Sequence, residues 1–151
     1  MRASWARNRC ETPRIAPRAL SWNEKSNWRK GKESLEIAGL ALQTKRYNAC
    51  ASRAYYAVFL ASIAALIKLT TIRATDNEWQ HGQVQAELNR QLIMRKKLLR
   101  SEQGRIPMDL IELRHLADYK PQSVTQREAK RAYHRADRFL AAIKKVLGET
   151  V

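Results

Sequence analysis

The sequence is poor in cysteine and lacks several common catalytic signatures. Its two cysteines, Cys10 and Cys50, do not make a disulfide framework, which favours a reducing compartment. It has no glycine-rich phosphate loop, no CxxC pair, no HExxH and no GxSxG, so the nucleotide-loop, zinc-protease and serine-hydrolase classes have no support. Its three histidines (His81, His115, His134) lie far apart in sequence and make a weak case for a metal site. No metal and no cofactor are predicted.

Long apolar runs are also missing. The longest, AVFLASIAALI at residues 57–67, is much shorter than the roughly 20 residues that span a bilayer. No apolar segment follows the arginine-rich start, so no signal peptide is predicted. The sequence therefore predicts a cytoplasmic protein with no membrane partner.

Acidic residues are scarce beside basic ones. Lysine and arginine number 29 against 14 aspartates and glutamates, a net charge of +15. Such an excess favours polyanions, either nucleic acid or an anionic partner surface. Charge alone provides only sequence-independent attraction to phosphate.

Residues 1–20 differ from the rest of the chain. The stretch MRASWARNRCETPRIAPRAL has five arginines, one acidic residue, two prolines and no helical period. It is predicted to be a disordered basic arm or the product of a wrongly assigned start codon. Residues 21–151 are predicted to form one domain.

Hydrophobic periodicity predicts helices at the start of this domain. The first helix begins at Ser21, where SWNE has the capping-box pattern, and runs to about Arg46. The second covers about Asn48 to Leu69 and is apolar nearly all round, which is typical of a central helix. The third opens at a second capping box, TDNE at residues 75–78.

The second half of the domain continues the helical pattern. SEQGRIPMD at residues 101–109 is predicted to be a loop because of Gly104 and Pro107, and a short helix follows to about Asp118. Pro121 stops it.

A third capping box, TQRE at residues 125–128, opens the most clearly amphipathic helix, which Gly148 ends. No strand is predicted. The fold class is therefore all-α, an antiparallel four-to-five-helix bundle.

A dense basic cluster follows the third helix. Within RQLIMRKKLLR we predict an RNA-binding surface made of Arg95, Lys96, Lys97 and Arg100. The alternative is a solvated helix end, where cations suit the helix dipole.

The stretch LRHLADY is predicted to bring Arg114, His115, Asp118 and Tyr119 to a helix end. Cleaving RNA without a metal needs a group that helps the ribose 2′-hydroxyl attack, and a cation that stabilises the phosphorane charge. Arginine supplies the cation and histidine can move the proton. The alternative is structural: Asp118 pairs with Arg53 or Arg114, and the tyrosine ring packs.

Three segments, KRYNACASRAYYAVFLA, WQHGQVQAELNRQLI and LRHLADY, resemble HEPN-domain proteins, in particular the compact prokaryotic branch with an R-x-x-A-D-Y signature. The resemblance covers about residues 22–148. It implies an antiparallel helical bundle, usually dimeric. It also implies a toxin or defence ribonuclease, often paired with a small nucleotidyltransferase, with a catalytic Arg-x4–6-His motif that often continues as His-x-Tyr.

The chain departs from that motif at its histidine. Arg114 and Tyr119 match, but the histidine position is Ala117 and the spacing is shorter. His115 points about 100° away from Arg114 on a helix, and it substitutes only if the helix unwinds before the proline. His81, where the resemblance includes a histidine, replaces the missing base if the fold brings it to Arg114 and Asp118.

Two arginines outside LRHLADY, Arg127 and Arg53, also need an interpretation. Arg127 and His134 match Arg-x6-His literally, but they lie inside the last helix and are interpreted as a coincidence. Arg53 lies in an apolar helix and needs a partner, for which Asp118 or a carboxylate of the first helix is predicted.

Two functions stay open at this point. The first is an RNA-acting HEPN protein of toxin–antitoxin or defence type, a homodimer with an RNA or nucleotide ligand. It would use Arg114, Asp118 and Tyr119, with His81 or His115 for proton transfer. The second is a non-catalytic HEPN module that binds a nucleotide, nucleic acid or partner protein, such as a nucleotidyltransferase antitoxin. A third, weaker interpretation is a basic helical subunit without a nucleic-acid role.

Overall fold

The computed structural model of the chain describes residues 24–76 and 78–148, which form the predicted all-α bundle. The predicted arm at residues 1–20 and the helix start at Ser21 lie outside the described residues. The elements follow in chain order as helix α1 (24–43), α2 (Tyr47–Leu69), α3 (His81–Glu87), a π-helical segment (Leu88–Arg95), α4 (Ser101–Tyr119) and α5 (Gln126–Leu147).

Helix α2 is the central helix, as predicted. It packs along both α4 and α5, and its side chains from Ala61 to Ile67 are all buried. By length and a mean hydropathy of 1.6 it is the one helix among the described residues long and apolar enough to span a bilayer. However, 72% of that apolar window is buried inside the bundle, as in the core helix of a soluble domain.

The cysteine of α2 is part of this core. Cys50 is fully buried, and its thiol lies 3.6 Å from the carbonyl oxygen of Ala129 on α5. Burial raises the pKa of the Cys50 thiol to about 11. The residue therefore acts as a small apolar side chain at the contact between α2 and α5.

Helix α5 confirms its predicted start and end. The Thr125 hydroxyl accepts a hydrogen bond from the backbone N–H of Glu128, and the glutamate carboxylate accepts one from the N–H of Thr125. This reciprocal pair is the predicted capping box. Gly148 ends the helix with a φ of 73°, in the left-handed region that glycine adopts without strain.

The predicted start of the third helix at TDNE is wrong. The N–H of Glu78 donates to the carbonyl of Thr75 and closes a tight turn, in which Asp76 has a φ of 52°. Helix α3 begins later, at His81. The stretch therefore begins with a turn, and the helix starts only after it.

The second half of the predicted third helix is wound more loosely than an α-helix. The N–H of Lys96 bonds to the carbonyl of Gln91, five residues back, as in a π-helix. The segment still turns an apolar stripe toward the core, since Val84, Leu88 and Leu92 are buried. The basic loop that follows turns sharply at Lys97, whose φ is 53°.

The predicted loop at residues 101–109 is also wrong. Helix α4 already begins at Ser101 and contains Pro107, with Gly104, Ile106 and Pro107 all buried. A Cβ at position 104 would collide with Asn89 and Ile93 of the π-helical segment. Glycine therefore serves here as a point of close approach between two helical elements, not as a loop former.

The end of α4 is as predicted. Tyr119 is its last residue, and Lys120 has extended backbone (φ −98°, ψ 151°) before Pro121. A residue before proline is disfavoured in the helical region. This end places the LRHLADY stretch on the last turns of α4, beside α2.

Candidate functional site

The centre of the site is the guanidinium of Arg114. Its side chain is only 12% exposed, and its Nε donates to Oδ2 of Asp118, one turn later on α4, at 3.3 Å. The guanidinium carbon lies 5.0 Å from the ring centre of Tyr56 and 5.7 Å from that of Tyr55. Aromatic faces and a carboxylate thus hold one permanent cation in a fixed place.

The rings come from one face of α2. Ser52, Tyr55, Tyr56 and Phe59 follow the i, i+3, i+4, i+7 spacing of a single helix face. The hydroxyl of Ser52 donates to the same Asp118 oxygen at 3.4 Å. Asp118 therefore ties α4 to α2 while it orients the guanidinium.

Two hydrogen-bonding positions of Arg114 are open. Among the described residues, no acceptor lies within hydrogen-bonding distance of its two terminal nitrogens, because its one such contact runs through Nε. These terminal nitrogens are the pair that binds a phosphate or carboxylate with two parallel hydrogen bonds.

The predicted partner of Arg53 is wrong. Asp118 pairs with Arg114, which the sequence offered as an alternative, and the guanidinium carbon of Arg53 lies 4.9 Å from the ring centre of Tyr56. Within the described residues Arg53 has no carboxylate within ion-pair distance. Its side chain is partly exposed, so water can hydrogen-bond the guanidinium, and the carboxylate partner expected for a buried charge is not needed.

Helix α3 brings His81 to the same rings. The imidazole centre lies 4.5 Å from the ring centre of Phe59 and 5.4 Å from that of Tyr55. The Nδ1 atom of His81 makes a hydrogen bond with the Tyr55 hydroxyl. His81 and Arg114 therefore contact the same ring, that of Tyr55.

The hydrogen bond to Tyr55 fixes which imidazole nitrogen carries the proton. Burial raises the pKa of Tyr55 well above its usual value, so its hydroxyl stays protonated. The only acceptor within reach of this hydroxyl in the described residues is Nδ1 of His81. The hydroxyl therefore donates to Nδ1, and the neutral imidazole holds its proton on Nε2.

The surroundings of His81 favour its neutral form. Burial lowers its pKa from the usual value, and the positive charge of Arg114 lowers it further, with a smaller effect from His115. At neutral pH the side chain is thus an uncharged hydrogen-bond donor through Nε2.

His115 lies at the edge of this site. Helix α4 stays regular through Tyr119, so the unwinding that would turn His115 toward Arg114 does not occur. The imidazole is exposed, and its ring centre lies 5.7 Å from that of Tyr119. His115 is nevertheless close enough for its charge to lower the pKa of His81.

A comparison with protein families identifies the fold. A family model described as HEPN domain matches residues 25–146. The chain belongs to the HEPN domain family. No curated protein gives a significant match to it. Membership supports a general HEPN role, either RNA binding with or without cleavage, or nucleotide binding.

In this HEPN domain the position expected for the catalytic histidine carries no imidazole. Ala117 lies there, partly buried against the core. Tyr119, the other matching position, is 67% exposed, and the guanidinium carbon of Arg114 lies 6.0 Å from its ring centre. The cluster therefore contains Arg114, Asp118, Tyr119 and His81, with His115 beside it.

Sequence reasoning missed three contributors to the site. The apolar character of the second helix favours core packing for Tyr55 and Tyr56, and Ser52 carries no signal of its own. The signal was present in the spacing of these residues along α2, but only the packing of α4 shows that this face meets Arg114.

The basic cluster predicted to bind RNA is separate from the Arg114 site. Its members, Arg95, Lys96, Lys97 and Arg100, are all exposed in the HEPN domain. They precede α4, whereas Arg114 lies near its far end, about 21 Å further along the helix axis from Arg100.

The literal Arg-x6-His pair is not part of the site. Arg127 and His134 are both exposed on α5, and the ring of His134 lies 5.5 Å from that of its neighbour Tyr133. No group of three or more histidine, cysteine or acidic side chains able to hold a metal ion occurs in the described part of the HEPN domain.

Proposed function

We propose that this HEPN protein binds a phosphodiester of RNA at Arg114 and cleaves it without a metal ion, as a member of a toxin–antitoxin or defence system. The observation that carries the proposal is the state of Arg114. Its guanidinium is fixed between tyrosine rings and Asp118, while its terminal nitrogens have no acceptor among the described residues. A cation held in this way is ready for a phosphate without further reorganisation.

The neighbouring groups suit the same ligand. The terminal N–H groups of Arg114 would bind the two non-bridging phosphate oxygens, and Nε2–H of His81 would donate a further hydrogen bond. An uncharged donor suits this position because it adds a hydrogen bond to the phosphate without placing a second positive charge beside Arg114. The exposed ring of Tyr119 would stack on an adjacent base.

We assign the proton transfer in the proposed cleavage to His115, although α4 does not unwind toward Arg114, because its exposed imidazole lies beside the ring of Tyr119 on which a base would stack. Its imidazole takes the proton from the 2′-hydroxyl, and the resulting oxygen attacks phosphorus. The bond to the 5′-oxygen breaks, and the imidazolium returns the proton to this leaving oxygen. The products are a 2′,3′-cyclic phosphate and a 5′-hydroxyl. During the reaction Arg114 stabilises the negative charge of the pentacoordinate phosphorane.

A homodimer and a nucleotidyltransferase antitoxin belong to the proposal. Both follow from the HEPN resemblance, and a two-fold axis would bring a second Arg114 site into the same assembly. Sedimentation of the purified chain tests the dimer. Arrest of growth on expression, relieved by co-expression of a neighbouring nucleotidyltransferase gene, tests the biological context.

The decisive experiment incubates RNA with purified protein in excess EDTA. Wild type is compared with Arg114→Ala and with Arg127→Ala, a matched control because Arg127 is an exposed helix arginine outside the site. We expect wild type and Arg127→Ala to cleave and Arg114→Ala to be inactive. Equal cleavage by all three proteins would show a contaminant or another site, and would overturn the proposal.

A second candidate function is a non-catalytic RNA- or nucleotide-binding module. Two observations favour it: Ala117 stands at the family's histidine position, and α4 stays regular, so His115 is not turned toward Arg114. In that case no variant cleaves, yet wild type and Arg127→Ala shift RNA in a gel and Arg114→Ala does not.

A further inference from the structure

A second surface lies along the seam between α4 and α5. Helix α2 packs extensively against both, whereas α4 and α5 contact each other over a short stretch. The space between them forms three adjoining cavities of about 270, 390 and 590 Å³. Arg135 lines the first two, and Arg100, Gln103 and Arg138 line the last two. Together they make one channel, which we name the α4–α5 groove.

The groove has a basic rim and a partly apolar floor. Cations at its edges include Lys97, Arg131, Arg138 and Lys145. Three carboxylates also line the groove, Glu102, Asp109 and Glu128, and Asp109 is bonded to Arg135 at 2.7 Å; the lining cations still outnumber them. The floor is built from Ile106, Leu110, Leu113, Ala142 and Val146.

The end of the groove nearest the basic loop carries an exposed leucine among its cations. Leu98, 45% exposed, lines it beside Leu99, and Ala141 and Ala142 of α5 leave the space open because their side chains are small. An apolar side chain of a docked helix would bury Leu98 at this point.

We propose that the α4–α5 groove binds an acidic amphipathic helix of a partner protein. Charge complementarity is the first argument, since the rim is cationic and the floor would take the apolar stripe of such a helix. This proposal does not depend on the Arg114 site, which faces α2 and not the groove.

Other occupants fit the groove less well. Single-stranded RNA binds through phosphates and base stacking. Among the described residues that line the groove, the one aromatic, Phe139, is fully buried and offers no ring face. Residues 1–20 have five arginines and one acidic residue, and a second copy carries +15. Both would bring like charge to the basic rim.

The length of the groove sets the length of the occupant. It extends along α5 from Glu128 to Val146, about 27 Å at 1.5 Å per residue. A helix of about 18 residues fits this length, with apolar side chains at i, i+3, i+4 and i+7 and glutamates flanking them.

The test uses fluorescein-labelled synthetic peptides and fluorescence anisotropy on the full chain. The probe is a 20-residue helix with a leucine stripe and flanking glutamates. One control has the same composition without the helical period, a second has lysine in place of glutamate, and a third ligand is a single-stranded RNA of about the same length. Circular dichroism confirms that each protein variant is folded.

Two protein variants separate the occupants. Arg138→Glu reverses a charge in the groove, and Lys130→Glu is its matched control, because Lys130 is exposed on α5 but does not line the groove. Ala141→Arg narrows the groove while it adds positive charge. It should weaken a docked helix and leave RNA binding equal or stronger.

We expect the acidic amphipathic peptide to bind wild type, and Arg138→Glu and Ala141→Arg each to weaken it about tenfold or more. Lys130→Glu should stay within about twofold, and Arg114→Ala should bind the peptide normally, even if the proposed RNA chemistry fails. The proposal is overturned if the peptide does not bind, if the scrambled peptide binds equally well, or if RNA binding is the activity that Arg138→Glu removes and Ala141→Arg strengthens.

Discussion

The two ends of α4 present positive charge in different ways. Near its C-terminal end Arg114 is 12% exposed, bonded to Asp118 and covered by rings from α2. Near its N-terminal end Arg100, Lys97 and Lys145 border an open groove, and none of them has an ion-pair partner among the described residues. The first arrangement fixes the position and orientation of one cation. The second provides only a region of positive electrostatic potential.

This difference predicts different sensitivity to substitution. A cation that acts through geometry cannot be replaced by another cation of different shape, because lysine lacks the planar pair of donors. A cation that acts through its field can be replaced, because charge is all that it contributes. The predictions below test this contrast, from the largest expected effect to the smallest.

Conservative exchange of arginine for lysine should separate the two ends most clearly. We expect Arg114→Lys to lower RNA cleavage or binding about 10- to 100-fold, which corresponds to the loss of a bidentate charge-assisted contact. Arg138→Lys should change either quantity less than about twofold. Equal losses in an EDTA cleavage or gel-shift assay would remove the distinction between a built site and a charged surface.

The N-terminal end of α4 depends on close packing instead. Gly104→Ala should reduce the free energy of unfolding by about 1 kcal/mol, because its Cβ displaces the ends of the Asn89 and Ile93 side chains by more than the better helix propensity of alanine offsets. Gly82→Ala is the matched control, since nothing lies within 4 Å of a Cβ there. Urea denaturation measures both, and adding Asn89→Ala to Gly104→Ala should restore part of the loss.

The C-terminal end should respond to the loss of one hydroxyl. In Tyr55→Phe the neutral form of His81 loses its hydrogen-bond donor, so the pKa of His81 should rise toward its usual value. Tyr133→Phe removes a hydroxyl beside another histidine and should leave the pKa of His81 unchanged. Nitrogen chemical shifts of labelled histidine measure both pKa values. They also show the tautomer, and a wild-type proton on Nδ1 would contradict the assigned hydrogen bond.

The smallest effect concerns acid. The pKa of His81 is lowered in the folded protein. Below about pH 6.5 the unfolded chain therefore binds more protons than the folded one, and the free energy of unfolding decreases as the pH is lowered. His81→Gln should remove this contribution, whereas His134→Gln, at an exposed position on α5, should retain it. Urea midpoints between about pH 5 and pH 7.5 measure the difference. Identical pH profiles for wild type and His81→Gln would rule out the effect.

The helices that bury a continuous apolar face were predictable from the sequence. Helix α5 was located by its stripe, its capping box and Gly148, and α2 by its apolar character all round. In both cases the local signal and the tertiary packing agree, which is why pattern alone sufficed.

The errors lie where local signals conflict with packing. TDNE has the letters of a capping box but forms a turn, and the start of α4 has the letters of a loop but is helical. Gly104 was taken as a breaker, although its role is to let α4 approach the π-helical segment. No local pattern shows that a glycine will be needed for a neighbour that lies elsewhere in the chain.

The candidate site was predicted in part for the same reason. Arg114, Asp118 and Tyr119 lie in one stretch and could be selected from the sequence. Their meeting with Tyr55, and through it with His81, requires three helices to converge. Helical spacing gives the face of α2 that carries the rings, but not the element that covers it.

The buried thiol of Cys50 is a built-in probe of how often the bundle opens. It is sealed at the contact of α2 with α5, with a pKa of about 11, so an alkylating reagent can modify it only when these helices separate. With Cys10 replaced by serine, the rate of labelling would count such openings in the native protein. Any ligand that binds only the closed bundle would lower the rate at which Cys50 is labelled, wherever on the surface it binds.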